Sequence, residues 1–129
     1  MKKAAALLLI FCLGTGLTPD LPSLTLEKSL LISELDKNPR QYERRKTLVQ
    51  LKGAVTHQDT ALNNWAFLED DSGTVLLDFS AASPNIRLPR KAVGSAVIVE
   101  GRVSLDETVL NGYVLVPATY SLLLQELPK

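Results

Sequence analysis

The chain has 129 residues, with 14 basic and 14 acidic side chains that give a formal net charge of zero. Its length suits a single domain, and 46% hydrophobic with 22% charged residues is typical of a globular protein. A nucleic-acid-binding domain usually carries a strong basic excess, so this charge balance makes nucleic acid an unexpected partner.

The first 17 residues have the pattern of a secretory signal. Lys2-Lys3 gives a positive start, an apolar run follows over 4–13, and Gly14–Gly16 offers small residues to a signal peptidase. The run is shorter than the roughly 20 residues of a transmembrane helix. We therefore predict a signal peptide over 1–16 and a periplasmic or otherwise extracytoplasmic protein. An uncleaved N-terminal anchor is the alternative, and it is the only membrane contact that we expect.

The only cysteine, Cys12, lies inside this predicted signal. Phe11 precedes it where a lipoprotein would have a small residue, so we interpret Cys12 as part of the apolar run. Cleavage near Gly16 leaves a mature chain without cysteine, which excludes disulfides and cysteine-based zinc sites.

A linker and a short helix are predicted over 17–46. Pro19 and Pro22 make residues up to Thr25 linker-like. Leucines then recur over Leu26–Asp36 with the spacing of one helix face, at Leu26, Leu30, Leu31 and Leu35. Asn38-Pro39 is predicted to end the helix, because the residue before proline is pushed out of the helical region.

From Thr47 onward the apolar period changes to two, which is the repeat of a half-buried strand. The first predicted strand is Leu48–Val55, with a bulge or bend at Gly53. Two further strands, Trp65–Glu69 and Thr74–Ser80, flank a turn that ends in Gly73, where we expect a positive φ. These two strands are predicted to form a hairpin.

A variable crossover over Ala81–Val93 separates this hairpin from the last two predicted strands, Ser95–Ser104 and Val109–Ala118. Asn111-Gly112 is either a bulge in the fifth strand or the turn before it. Five short strands hide an inner face by closing into a partly open barrel, the arrangement of the OB fold. The predicted domain spans 47–120, followed by a C-terminal tail over 121–129. Its predicted inner face comprises Val49, Leu51, Val75, Leu77, Val97 and Val99.

The strand residues resemble a known family. Leu48–Val55 followed by Trp65–Phe79 resembles an OB-fold core, and Val97–Val103 resembles its fourth strand. With the signal and the small size, the chain is similar over about Thr47–Thr119 to the bacterial OB-fold (BOF) family of exported proteins. This resemblance implies a non-enzymatic binding module that recognises small molecules or other envelope proteins rather than nucleic acid.

The sequence offers few candidates for chemistry. His57 is the only histidine and has no identifiable partner, so a surface loop histidine is predicted. Glu69, Asp70, Asp71 and Asp78 are acidic enough for a hard cation such as calcium, but turn and outward strand positions explain them better. Hydrolase and phosphate-loop signatures are absent from the sequence. We therefore expect no catalytic residue, no metal site and no cofactor.

Two basic clusters flank the predicted strands, one at 44–46 and one at Arg87, Arg90 and Lys91 in the crossover. If they converge, they form a rim for phosphate, lipid headgroups or an acidic partner; otherwise the charges are simply solvated. Trp65 and Tyr113 either add stacking surfaces or fill the barrel, and for Trp65 we favour the core. The candidate ligand-binding residues are Trp65, Arg87, Arg90, Lys91, Arg102 and Tyr113.

Together these features favour an extracytoplasmic, non-catalytic OB-fold module that binds a small anionic ligand or an envelope component. The alternative is an interaction subunit that docks on an envelope protein through the lead-in helix and a strand edge. Nucleic-acid binding, which is typical of the fold, is the least expected. A basic, aromatic groove over strands one to three would favour a ligand, and an apolar patch beside Leu26–Leu35 would favour a partner.

Export gives the first testable prediction. The mature protein should begin near Leu17, because the small residues at 14–16 are the accessible cleavage site. N-terminal sequencing of protein from its native host tests this, and a product that still begins at Met1 would contradict it.

Overall fold

The computed structural model describes residues 23–123, which form two short helices and five strands. The helices are α1 (Ile32–Lys37) and α2 (Pro39–Arg45), and the strands are β1 (Leu48–Gln58), β2 (Trp65–Asp70), β3 (Gly73–Asp78), β4 (Ala96–Leu105) and β5 (Tyr113–Leu122). The predicted signal peptide and most of the predicted tail lie outside the described residues. Within 23–123, no helix is long and apolar enough to cross a membrane.

The five strands close into a barrel in the order β1-β2-β3-β5-β4, with β4 pairing back onto β1. Neighbouring strands are antiparallel except β3 and β5, which run parallel and meet at Leu77 and Leu115. All five predicted strands are present, and the predicted hairpin of the second and third strands is confirmed. The sequence-based prediction of an all-β, five-stranded barrel is therefore confirmed. The barrel is closed and not partly open as predicted, because β3 and β5 pair at Leu77 and Leu115.

The inner face of the barrel is the one that the period of two predicted. All six predicted positions are buried, and none is more than 3% exposed: Val49, Leu51, Val75, Leu77, Val97 and Val99. Fully burying a valine or leucine side chain stabilises a fold by about 1.5–3 kcal/mol. These aliphatic residues are therefore a main source of the stability of the barrel.

Strand β1 pairs with two neighbours, and the change from one to the other lies beside Gly53. The register irregularity of this strand is found between Val55 and His57, not at Gly53 where a bulge or bend was predicted. Residues 48–54 pair with β4, and residues 54–58 pair with β2. A Cβ atom at Gly53 would lie 2.4 Å from the carbonyl oxygen of Glu69, closer than any side chain permits. Glycine is required here because the backbones of β1 and β2 approach each other too closely at this position for a Cβ atom.

The prediction of a single helix over Leu26–Asp36 is wrong in its first half. Residues 26–30 are extended and not helical, and Leu30 forms a parallel bridge with Leu51 at the edge of β1 that does not pair with β4. The backbone N–H of Leu30 donates to the carbonyl of Gln50 at 2.8 Å. Pairing with a strand edge has overridden the helical leucine spacing. The predicted stop at Asn38-Pro39 is confirmed, and Pro39 also starts α2, where a missing N–H costs nothing.

The extended segment is held by Glu100, whose side chain faces outward from β4 but is only 1% exposed because the segment covers it. Its carboxylate accepts the backbone N–H groups of Thr25 at 2.8 Å and Leu26 at 2.6 Å. Gln50 donates to the same carboxylate at 2.9 Å. Burial raises the pKa of Glu100, but these hydrogen bonds outweigh it and hold the pKa below its ordinary value of 4.5.

Helix α1 is capped by the turn between β2 and β3. Asp70 accepts the N–H of Ile32 at 2.9 Å, and Ser72 accepts the N–H of Ser33 at 3.0 Å. The predicted positive φ at Gly73 is not found; instead Asp70 closes the turn by accepting the Gly73 N–H at 3.0 Å. The helix buries Ile32 and Leu35 completely, so it closes one part of the core.

The crossover between β3 and β4 has no regular secondary structure, and a buried amide pair holds it in place. Asn63 donates to the carbonyl of Leu88 at 2.7 Å, and Gln58 donates to the carbonyl of Pro89 at 2.6 Å. Gln58 also accepts the backbone N–H of Ala92 at 2.8 Å. These bonds attach the crossover to the C-terminal end of β1.

The Glu100 contacts give a prediction about stability and pH. Glu100→Gln keeps the side-chain volume but places an NH₂ group among N–H donors, so it should cost about 1–3 kcal/mol of unfolding free energy at pH 7. Because folding lowers the pKa of Glu100, its contribution is present above pH 4.5 and is lost as the pH falls further. The difference between variant and wild type should therefore shrink in urea unfolding as the pH falls through that range.

Glu69→Gln is the matched control, because Glu69 is exposed on β2 and makes no such cluster. Its unfolding free energy should stay within about 0.5 kcal/mol of wild type. Equal stability of the Glu100→Gln variant and wild type at pH 7 would show that the carboxylate does not hold the segment.

Candidate ligand-binding face

The outward side of β2 and β3 carries an apolar patch that is partly open to solvent. Ala66 and Leu68 fill the barrel from β2, so Trp65 and Phe67 alternate outward. Trp65 is 39% exposed, Phe67 is half-buried, and Phe67 is paired with Leu76 on β3. Apolar side chains in this position are an exposed surface of the kind that binding sites use.

The aromatic rings on this face contact each other edge to face. The ring centroids of Trp65 and Phe67 are 5.7 Å apart at 64°, and those of His57 and Phe67 are 5.7 Å apart at 90°. The interpretation of Trp65 as a core residue is wrong, because its strand parity puts it on the outer side. His57 also lies on β1 rather than in a loop.

A cleft of about 400 Å³ adjoins Phe67, between the β2–β3 face, helix α1 and the loop that joins β4 to β5. Its volume is within the range of small-molecule sites. The lining residues are Asp36, Phe67, Thr74, Leu76, Val109, Leu110, Asn111 and Tyr113. Its walls are therefore mostly aliphatic and aromatic, with few polar groups.

The β4–β5 loop, residues 106–112, forms one wall of the cleft. Gly112 has a φ of +81° and its carbonyl accepts the N–H of Asp106 at 2.9 Å, so Asn111-Gly112 belongs to the turn and not to the strand. Asn111 donates to the carbonyl of Thr74 at 3.1 Å and ties the loop to β3. Leu110, at 99% exposure, lies in this loop.

Leu110 is a residue that the sequence analysis missed, because the fifth strand was predicted to begin at Val109. The signal that would have identified it is an aliphatic residue just before Asn111-Gly112, a dipeptide typical of tight turns. Asp36 was missed as well, since a single acid near the end of a predicted helix has no distinctive pattern.

Tyr113 connects the cleft to helix α1. Its ring is only 1% exposed, and its hydroxyl donates to Asp36 at 2.6 Å. Burial and then the hydrogen bond and charge of Asp36 raise the pKa of Tyr113 above its ordinary value, so the hydroxyl stays protonated. Of the two predicted roles, Tyr113 therefore fills the barrel and offers no free face for stacking.

The predicted basic rim is not assembled. The cluster at 44–46 precedes β1, whereas Arg90 and Lys91 lie beside the crossover residues bonded to Gln58, at the other end of this 11-residue strand. The condition that the two clusters converge is therefore not met. Contact of the exposed Arg90 and Lys91 with an anionic group remains a prediction.

Two other predicted cationic site residues donate to backbone carbonyls. The Arg87 guanidinium binds the carbonyls of Ser83 at 3.2 Å and Ile86 at 2.7 Å. Arg102 donates through its Nε to the carbonyl of Lys46 at 3.1 Å. Both guanidinium groups therefore already make hydrogen bonds within the protein. Over residues 23–123, no group of three potential ligands could hold a metal ion.

No protein-family model matches the chain, and no curated protein matches its sequence. Among solved structures, 112 chains match. Asparaginyl-tRNA synthetase from Pyrococcus horikoshii aligns with a TM-score of 0.57 at 18% identity, over 75% of this chain and 23% of the synthetase. Its complex with asparaginyl-adenylate gives a TM-score of 0.58 at 18% identity, over 75% of this chain and 22% of that one.

The hypothetical protein ygiW from E. coli aligns with a TM-score of 0.50 at 16% identity, over 82% of this chain and 98% of that one. The barrel is an OB fold. At these identities the likeness shows the fold alone, and the chain spans less than a quarter of the synthetase. Because no family model matches, the BOF family remains a resemblance.

Proposed function

We propose that this OB-fold chain is a non-catalytic binding module that takes a small ligand in the cleft between the β2–β3 face and the β4–β5 loop. The observation that carries the proposal is a cleft of about 400 Å³ that is lined by Phe67, whose ring contacts the exposed Trp65. OB folds in general bind their ligands on the face of strands two and three, between the loops that join strands one to two and four to five. The cleft lies on that face.

The non-catalytic part of the proposal rests on the surroundings of His57. Its ring packs against Phe67, and its Nδ1 lies 3.3 Å from the hydroxyl of Thr56. A general base is usually oriented by a further group, most often a carboxylate, and in the described part of the chain no hydrogen bond joins His57 to one. His57 is thus better explained as part of the apolar face.

The extracytoplasmic location belongs to the proposal as well. Lys2-Lys3 and the apolar run over 4–13 support it, as does the resemblance to the exported BOF family. The alternative of a subunit that docks through its lead-in helix has less support, because Ile32 and Leu35 on α1 are already buried against the barrel. Nucleic acid is also a poor fit, since no lysine or arginine lines the cleft.

Truncating Leu110 tests the proposal. The neutral apolar dye N-phenyl-1-naphthylamine should bind the full chain and accept excitation energy from Trp65, the only tryptophan. Leu110→Ser removes an apolar contact worth about 1–2 kcal/mol, so dye affinity should fall roughly five- to thirty-fold. Because Leu110 is 99% exposed, the unfolding free energy should change by less than about 0.5 kcal/mol.

Leu122→Ser is the matched control, since Leu122 is 40% exposed on β5 and does not line the cleft. It should leave dye binding unchanged. Equal losses in the two variants would mean that the dye reports general surface hydrophobicity, and an unchanged affinity in Leu110→Ser would exclude the cleft as the site.

A further inference from the structure

The cleft carries one negative charge and no positive charge. Asp36 is a carboxylate, and the other lining residues are neutral, including Tyr113, whose hydroxyl stays protonated. In the described part of the chain, the only ion pair joins Lys37 to Glu34 at 3.5 Å. The charge of Asp36 is therefore not compensated by a protein cation within salt-bridge distance.

A second carboxylate adds to this negative potential. Asp70 lies close enough that its charge, together with burial and with the bond and charge of Asp36, raises the pKa of Tyr113. Asp70 itself accepts the N–H of Ile32 at 2.9 Å and the hydroxyl of Ser72 at 2.7 Å. Both carboxylate oxygens of Asp70 already accept hydrogen bonds within the protein. Asp70 would therefore act on a ligand through its electrostatic potential and not by direct contact.

The other polar lining groups offer acceptors, and the Thr74 hydroxyl and the second N–H of the Asn111 amide can also donate. The Asn111 amide donates to the carbonyl of Thr74, and no hydrogen-bond donor of the described protein reaches its side-chain oxygen. The Tyr113 hydroxyl donates its hydrogen bond to Asp36, so it can only accept one from a ligand. A ligand in this cleft therefore meets the Asp36 carboxylate as the only charged lining group, beside apolar walls formed by Phe67, Leu76 and Leu110.

We propose that the cleft binds small organic cations in which a primary ammonium is attached to an apolar chain or ring. An ammonium supplies three donors and a positive charge to Asp36, and the apolar part fills the volume beside Phe67 and Leu76. An anionic ligand would meet the Asp36 charge instead. This inference rests on the proposed binding function and names the ligand class for that same site.

Three probes with the same six-carbon chain separate the charge from the apolar contact: hexylamine, 1-hexanol and hexanoate. Each is titrated at pH 7 into the ¹⁵N-labelled full chain, and the amides of Thr74, Leu76, Leu110 and Asn111 are followed by NMR. Hexylamine should bind about tenfold more tightly than 1-hexanol, in line with a charge-assisted hydrogen bond at a partly exposed site, and hexanoate more weakly than either.

Asp36→Asn removes the charge while its amide oxygen can still accept from the Tyr113 hydroxyl. In this variant the preference for hexylamine over 1-hexanol should disappear, and the affinity for 1-hexanol should stay the same. Glu107→Gln is the matched control, because it makes the same change in net charge at an exposed position of the β4–β5 loop that does not line the cleft. It should keep the preference.

The outcomes separate this inference from the binding function. Equal binding of hexylamine and 1-hexanol at the cleft would leave the binding function standing and overturn the cation preference. Tighter binding of hexanoate than of hexylamine at the cleft would overturn the cation preference too. If none of the three probes shifts the cleft amides, both the inference and the proposed small-ligand function are wrong.

Discussion

The docking of helix α1 on the barrel is the constraint on which the cleft depends. A helix of six residues does not form by itself in water, because the entropy lost in nucleating it exceeds the stabilisation from so few hydrogen bonds. Here the β2–β3 turn supplies the missing acceptors, through Asp70 and Ser72. The helix in turn buries Ile32 and Leu35. Asp36, the next residue, is thereby brought to the Tyr113 hydroxyl, and the cleft obtains its charged end.

The same lead-in segment is attached a second time, upstream of α1. Burying a carboxylate is costly unless its oxygens are satisfied. Glu100 accepts hydrogen bonds from Thr25, Leu26 and Gln50, which offset that cost. Gln50 also donates to the carbonyl of Leu26 at 2.7 Å, so the segment satisfies Gln50 as well. Residues 25–37 are thus bound to the barrel at both ends.

The strands could be predicted because their signals are local. A period of two identified the inner face from Val49 to Val99, and the residues at 70–73 have the composition of a tight turn whatever surrounds them. Gly53 also had a local signal, although the strand irregularity that it predicted lies between Val55 and His57.

The rest depended on contacts between residues far apart in the sequence. The leucine spacing over Leu26–Leu35 fits a helix. The segment is extended because its backbone N–H groups donate to the carbonyl of Gln50 and the carboxylate of Glu100. The segment that covers Glu100 could not be predicted from the sequence around this residue, because it lies about 75 positions earlier in the chain. The core was favoured for Trp65 because large aromatic residues are usually buried, but this residue lies with Phe67 on the outer side of the sheet. The cleft combines Asp36, Phe67 and Tyr113, which no spacing in the sequence connects.

Native-state hydrogen exchange at Ile32 and Ser33 is the most direct test of this dependence. If α1 and the barrel form one cooperative unit, these two amides, which donate to the β2–β3 turn, should be protected almost as strongly as Val75 and Leu77 in the core. Exchange of Ile32 and Ser33 at the rate of an unstructured chain, with the barrel amides still protected, would contradict the account, because Asp36 would then have no fixed place in the cleft.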